Sequence, residues 1–139
     1  MSPLHVLVVD DSKIGRSINT RIVQRSQPEG MIVVPAATIA QGIAEFRRLI
    51  HVGLHAVLLD FRLDGGEGRI TSIPLYRQML EVDEGIAAAR TALYSGDDED
   101  DLRSDFAAVE VPFPLQYFNK FDPKSSRQIE QWLGSLPIE

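Results

Sequence analysis

The chain of 139 residues contains no cysteine, which excludes disulfides, thiolate zinc sites and cysteine nucleophiles. It also lacks any excess of positive charge. Its 14 Lys and Arg stand against 20 Asp and Glu, for a net charge of -6. That balance argues against binding a nucleic-acid backbone, which relies on clustered Lys and Arg. Long hydrophobic runs are missing as well. The apolar stretch near the N-terminus is too short for a bilayer span, and acids follow it rather than a small-residue cleavage site. No internal repeat or low-complexity linker interrupts the chain. A soluble cytoplasmic protein is the expectation.

What is present suits an ordinary globular domain, with 44% hydrophobic and 24% charged residues. The length fits a single domain over 1–139, with roughly two-thirds of the unfolded surface buried; residues 135–139 could begin a linker. Apolar runs of strand length alternate with segments of helical period. "LHVLVV" (4–9), "MIVVPAA" (31–37), "HAVLLDF" (55–61), "TALYS" (91–95) and "LQYFN" (115–119) read as strands. Pro35 points to an edge position or a strand end for the second. Ser12 sits where an N-cap belongs, ahead of Ile14, Ile18 and Ile22 on one helix face. Pro28 and Gly30 should stop that helix. Thr38 can cap a helix carrying Ile39, Ile43, Phe46 and Ile50. Further helices are expected around 71–83, from the acidic start at Asp97, and over a last segment burying Ile129, Trp132, Leu133 and Leu136. Apolar strands separated by helices predict an α/β domain, a doubly wound five-stranded parallel sheet with helices on both faces.

In such a sheet, functional residues collect beyond the carboxyl ends of the strands. Here those ends carry Asp10 and Asp11, Asp60, Ser95 and Lys120. Two unit charges about 4 Å apart repel by roughly 4 kcal/mol at an effective dielectric of 20. Three converging acids therefore need a counter-charge or a shared proton. Lys120 supplies one positive charge, and the excess suits a divalent cation such as Mg²⁺, which prefers oxygen ligands. Asp60 could then act as a nucleophile toward a phosphoryl group, with the metal, the lysine and the hydroxyl completing a sufficient set.

The segments "VLVVDDS", "AVLLDF…G", "ALYSG" and "YFNK" resemble the receiver domain of two-component response regulators, in the right order and over nearly the whole chain. The resemblance implies a flavodoxin-like strand order, 2-1-3-4-5. It implies a phosphoryl group taken onto Asp60 from a sensor histidine kinase or a phosphotransfer protein in a phosphorelay. The metal, Mg²⁺ or Mn²⁺, would be held by Asp60 and Asp11, by Asp10 mainly through water, and by the backbone carbonyl of Arg62. Ser95 resembles the switch hydroxyl, Lys120 the lysine that pairs with the phosphoryl group, and Tyr117 the aromatic that rotates inward. Such a protein is no conventional enzyme: it accepts a phosphoryl group and removes it again at Asp60. A downstream partner would dock on the fourth helix, fifth strand and fifth helix, with no direct nucleic-acid contact and no membrane insertion. Arg62 is expected to reach toward Asp97, so that the two partly cover the phosphoryl position and tune its lifetime.

The pattern is broken in places. Receivers usually carry Pro four residues after the acceptor, where Asp64 stands here, while Gly68 falls where a glycine is expected. The lysine is usually followed by Pro through a cis bond; here Phe121 follows. A cis bond before a non-proline costs about 2.5–4 kcal/mol, and a trans bond would shift the loop. Plainer readings stand beside these. Asp10 and Asp11 could be an N-cap and a first-turn acid, Ser95 a turn residue, Tyr117 a core aromatic, and Lys120 a solvated lysine. The acidic run Asp97 to Asp101 reads as a solvated helix start. "DFRLDG" fails as a calcium loop because Arg62 and Thr71 occupy ligand positions. His51 and His55 read as structural. The rival functions are a receiver-like interaction module that is never phosphorylated and an aspartate-nucleophile phosphatase. The latter usually wants an acid where Arg62 stands.

Overall fold

The computed structural model describes residues 3–26, 31–64 and 70–137. Five strands, β1 (Leu4–Val9), β2 (Met31–Ala36), β3 (Leu54–Asp60), β4 (Thr91–Ser95) and β5 (Gln116–Asn119), form one parallel sheet in the order β2-β1-β3-β4-β5. Burial explains the order. β3 and β4 are buried at every position and take central places. β2 keeps exposed positions and Pro35, which lacks a ladder donor, and takes an edge.

The helices are α1 (Lys13–Ser26), α2 (Ile39–Val52), α3 (Ile73–Val82), α4 (Glu84–Arg90), α5 (Glu99–Ala108) and α6 (Ser125–Ser135). The alternation of strand side chains sorts them into two cores. Leu7, Val9, Val57, Leu59 and Leu93 meet Phe46, Leu49, Leu75, Met79 and Phe106 of the α2–α5 side. Val6, Val8, Ala56, Leu58 and Phe118 meet Ile22 and Val23 of α1 and Ile129, Trp132 and Leu133 of α6.

Two expectations about helices need correction. The segment expected as one helix over 71–83 is followed by a further helix, α4. Asp83 breaks the chain there: it closes α3 and its side chain accepts from the Ile86 amide at 3.0 Å to cap α4. The expected fourth and fifth helices are therefore α5 and α6. Nor is Ile14-Ile18-Ile22 the buried face of α1. Ile22 is buried, but Ile14 is 73% and Ile18 49% exposed. The inward stripe runs instead through Gly15, Asn19, Ile22 and Val23, with Asn19 buried.

Thr38 caps α2 as expected, its hydroxyl accepting from the Gln41 amide at 3.1 Å. Thr38→Ala should cost about 1 kcal/mol, seen as a lower urea midpoint at unchanged slope.

Candidate functional site

Parallel neighbours end at the same edge of a sheet, so β1, β3, β4 and β5 deliver Asp10, Asp60, Ser95 and Lys120 to one cleft of about 670 Å³. Asp11, Arg62, Asp97 and Phe121 also line it.

Asp10 is only 1% exposed. Its carboxylate accepts from the Ser12 amide at 2.9 Å and from Asn19 Nδ2 at 3.4 Å. The first turn of α1 closes over it because Gly15 has no side chain. A Cβ on Gly15 would lie 2.2 Å from Asp10 Oδ2, far inside contact distance. Ser12 caps this turn, accepting from the Gly15 amide at 3.1 Å, and Arg16 donates to the Asp10 carbonyl at 2.9 Å.

Asp60, at the end of β3, is 8% exposed. Its Oδ1 accepts from Lys120 Nζ at 3.1 Å and from the Phe61 amide at 3.0 Å. Among the described residues no donor reaches Oδ2. Burial pushes the Asp60 carboxyl up to about 6; Lys120 opposes that shift, and the charges of Asp10 and Asp11 add to it. Lys120 also lies 3.8 Å from Asp10 Oδ2, and its own amide donates to the Ser95 carbonyl at 2.9 Å, which ties β5 to β4 at the site.

One carboxylate oxygen from each of Asp10, Asp11 and Asp60 lies within 4.8 Å of the others. Three carboxylate oxygens thus gather in a partly buried place, where like charges repel unless a cation or a proton stands among them. That donor set suits a hard divalent cation such as Mg²⁺ or Mn²⁺.

Opposite the acids, Asp97 organises a second set of contacts. Its carboxylate accepts from Arg62 Nε at 3.1 Å and Nη2 at 2.7 Å, and from the Ser95 hydroxyl at 2.7 Å. The Arg62 guanidinium, with help from the Ser95 hydroxyl, holds the Asp97 carboxyl below the usual range. The Tyr117 hydroxyl donates to the Asp97 backbone carbonyl, and Asn119 Nδ2 donates to the Tyr117 oxygen at 3.1 Å. Arg62 and Asp97 thus pair as expected from the sequence.

The positions that depart from the receiver pattern are accommodated locally. The Lys120–Phe121 peptide is trans, as are the other described bonds. Asn119 Oδ1 accepts from the Phe121 amide at 2.8 Å, and the Phe121 ring lies over Gly96, where a Cβ would meet it at 2.6 Å. Asp64 accepts from the Ile70 amide at 3.0 Å, while Leu63 and Ser72 donate to the carbonyls of Ile70 and Phe61. Gly68 lies outside the described residues. His55 is buried at the far end of β3, its Nε2 at 2.8 Å from the Leu133 carbonyl, and burial lowers its pKa.

Gly15, Asn19 and Asn119 also serve the site, although the sequence pattern did not single them out. The signal for the first two was their spacing: with Ile22 and Val23 they follow an i, i+4, i+7, i+8 stripe, so a polar Asn on it had to serve a buried partner. Among the described residues, no helix is long and apolar enough to cross a membrane.

No family model matches the chain, and no curated protein matches it. Solved structures do. A response regulator receiver domain protein from Clostridium thermocellum is 15% identical, covering 94% of this chain and 91% of its own, with a TM-score of 0.68. A CheY-like receiver domain protein from Methanospirillum hungatei JF-1 is 18% identical over 96% and 95%, with a TM-score of 0.66. Vibrio cholerae chemotaxis protein CheY4 is 16% identical over 95% and 99%, with a TM-score of 0.69. Sheet order, helix placement and these likenesses agree: the fold of this chain is that of a response regulator receiver domain.

Proposed function

We propose that the protein is a signalling receiver that accepts a phosphoryl group on Asp60 from a phosphohistidine on a sensor kinase or phosphotransfer protein. The observation that carries this reading is the convergence of Asp10, Asp11 and Asp60 beside Lys120. Asp60 Oδ2 attacks phosphorus as the P–N bond of the donor breaks. The bond electrons return to the imidazole, which takes up a proton. Lys120 stays beside Oδ1 and offsets the charge that builds on the phosphoryl oxygens. Asp10, Asp11, Asp60 and the Arg62 carbonyl would hold the cation. A bound Mg²⁺ or Mn²⁺ supplies positive charge against the acids and the phosphoryl group.

After transfer, the Ser95 hydroxyl turns from Asp97 to a phosphoryl oxygen and Tyr117 moves inward. The surface of α5, β5 and α6 is thereby remodelled for a downstream protein. Arg62 and Asp97 tune how long the group survives. Self-dephosphorylation by water at Asp60 returns the protein to its starting state, and the cytoplasm is where such donors are met.

The test is intact-mass analysis after incubation with a small acyl phosphate and Mg²⁺. One added phosphoryl group is expected, absent in Asp60→Asn and absent with a chelator. No adduct on the wild type would favour an unphosphorylated interaction module, and rapid multiple turnover of the donor a phosphatase.

A further inference from the structure

We propose that Asp97 is a resident competitor for the phosphoryl group: its carboxylate occupies the Ser95 and Arg62 donors that an oxyanion on Asp60 would use. This rests on the acceptor role proposed for Asp60. Ser95 has one hydroxyl proton, and it is given to Asp97 Oδ2 at 2.7 Å. A hydroxyl cannot donate that proton to two acceptors at once, so Ser95 must leave Asp97 before it can bond a phosphoryl oxygen. The Asp97 amide also donates to the Ser95 oxygen at 3.1 Å, which fixes the hydroxyl in this orientation. Arg62 is engaged in the same way. Its Nε and Nη2 both face this one carboxylate, in the fork geometry that would equally suit a phosphate.

The exchange is feasible because the incumbent is weak. The side chains of Arg62 and Asp97 are 39% and 23% exposed, so water and salt screen their attraction. A phosphoryl group carries more charge and three acceptor oxygens, and it wins the contest. The consequence reaches Tyr117, whose hydroxyl is held by the backbone carbonyl of Asp97. Tyr117 is thus tied to the backbone of the same residue whose carboxylate is displaced. Asp97 sets the threshold of the switch in addition to the lifetime of the modified state.

The experiment is calorimetric titration of beryllofluoride, a phosphoryl mimic, into wild type, Asp97→Asn and Asp98→Asn at fixed Mg²⁺. Asparagine keeps the shape of Asp97 without the ionic claim on Arg62. Asp98 caps α5 through the Asp100 amide, and Asn caps as well, so its variant removes an equal charge one residue away. Asp97→Asn should tighten binding about tenfold, equivalent to about 1.4 kcal/mol, and Asp98→Asn should change it by less than about twofold. Equal tightening in both variants would reduce the effect to bulk charge and overturn the competitor role. So would unchanged or weaker binding by Asp97→Asn beside a wild type that binds. Silence from all three proteins would instead remove the acceptor reading itself, and the competitor with it.

Discussion

In the presence of a chelator at pH 7, Asp60→Asn should be more stable than the wild type by about 2–3 kcal/mol. The folded-state carboxyl titrates at about 6 against 3.8 for the free side chain, and each unit is worth about 1.36 kcal/mol. Because the folded value is raised, the folded state keeps its proton where the unfolded chain has lost it. Asp60 therefore contributes its full share below about pH 3.8 and loses it as pH rises through 6. An asparagine has no such dependence. The advantage of the variant should be absent below pH 3.8, grow up to about 6 and level off above. For a domain of this size it corresponds to a rise in melting temperature of roughly 5–10 °C. Mg²⁺ should narrow the gap by stabilising the wild type more. A destabilised Asp60→Asn at pH 7 would mean that the Lys120 pair outweighs burial, and the electrostatic account of the site would have to be abandoned.

The second large effect is expected from Gly15→Ala, a change of one methyl group. The new Cβ would sit 2.2 Å from Asp10 Oδ2 and 2.7 Å from its Cγ. Asp10 is short, buried and anchored by the Ser12 amide and Asn19, so it cannot swing aside without surrendering those bonds. Either the carboxylate turns or the start of α1 lifts. Both displace a donor from the acid cluster, and Mg²⁺ affinity should fall about 100-fold. Titration with Mg²⁺, or with Mn²⁺ by paramagnetic relaxation, reads the loss directly. Retention of wild-type affinity would show that Asp10 plays no part in holding the cation.

Much of this site could be read before any coordinates, for a physical reason. A central parallel strand is largely apolar, so the first acid at its end marks the carboxyl edge of the sheet, as at Asp10 and Asp60. The order of the strands came from the receiver resemblance, and Pro35 suggested only that β2 lies at an edge or ends there. Helix detail was harder. The isoleucines at 14, 18 and 22 mimic a buried stripe, but four-residue spacing drifts around a helix of 3.6 residues per turn. Here the inward positions near the site belong to Gly15 and Asn19, which serve Asp10 rather than the core. The break at Asp83 was missed because "EVDEGI" carries no proline, and only the cap to Ile86 makes it a boundary. The Arg62–Asp97 pair was within reach because both residues lie two positions past strand ends that adjoin. The contact of Tyr117 with the Asp97 carbonyl was not, since a backbone acceptor leaves no mark on the sequence.

The two separate cores also decide what light can report. Adjacent residues of β5 point to opposite faces: Tyr117 packs with the α2–α5 core, and Phe118 faces Trp132, with ring centroids 6.0 Å apart. The chain has a single tryptophan, and it is buried on the far side of the sheet from the Tyr117 side chain. Its emission would respond to a shift of β5 as a strand and stay silent to a tyrosine rotation alone. Near-ultraviolet tyrosine dichroism is the signal suited to the latter, so comparing the two spectra would separate a side-chain switch from a backbone one.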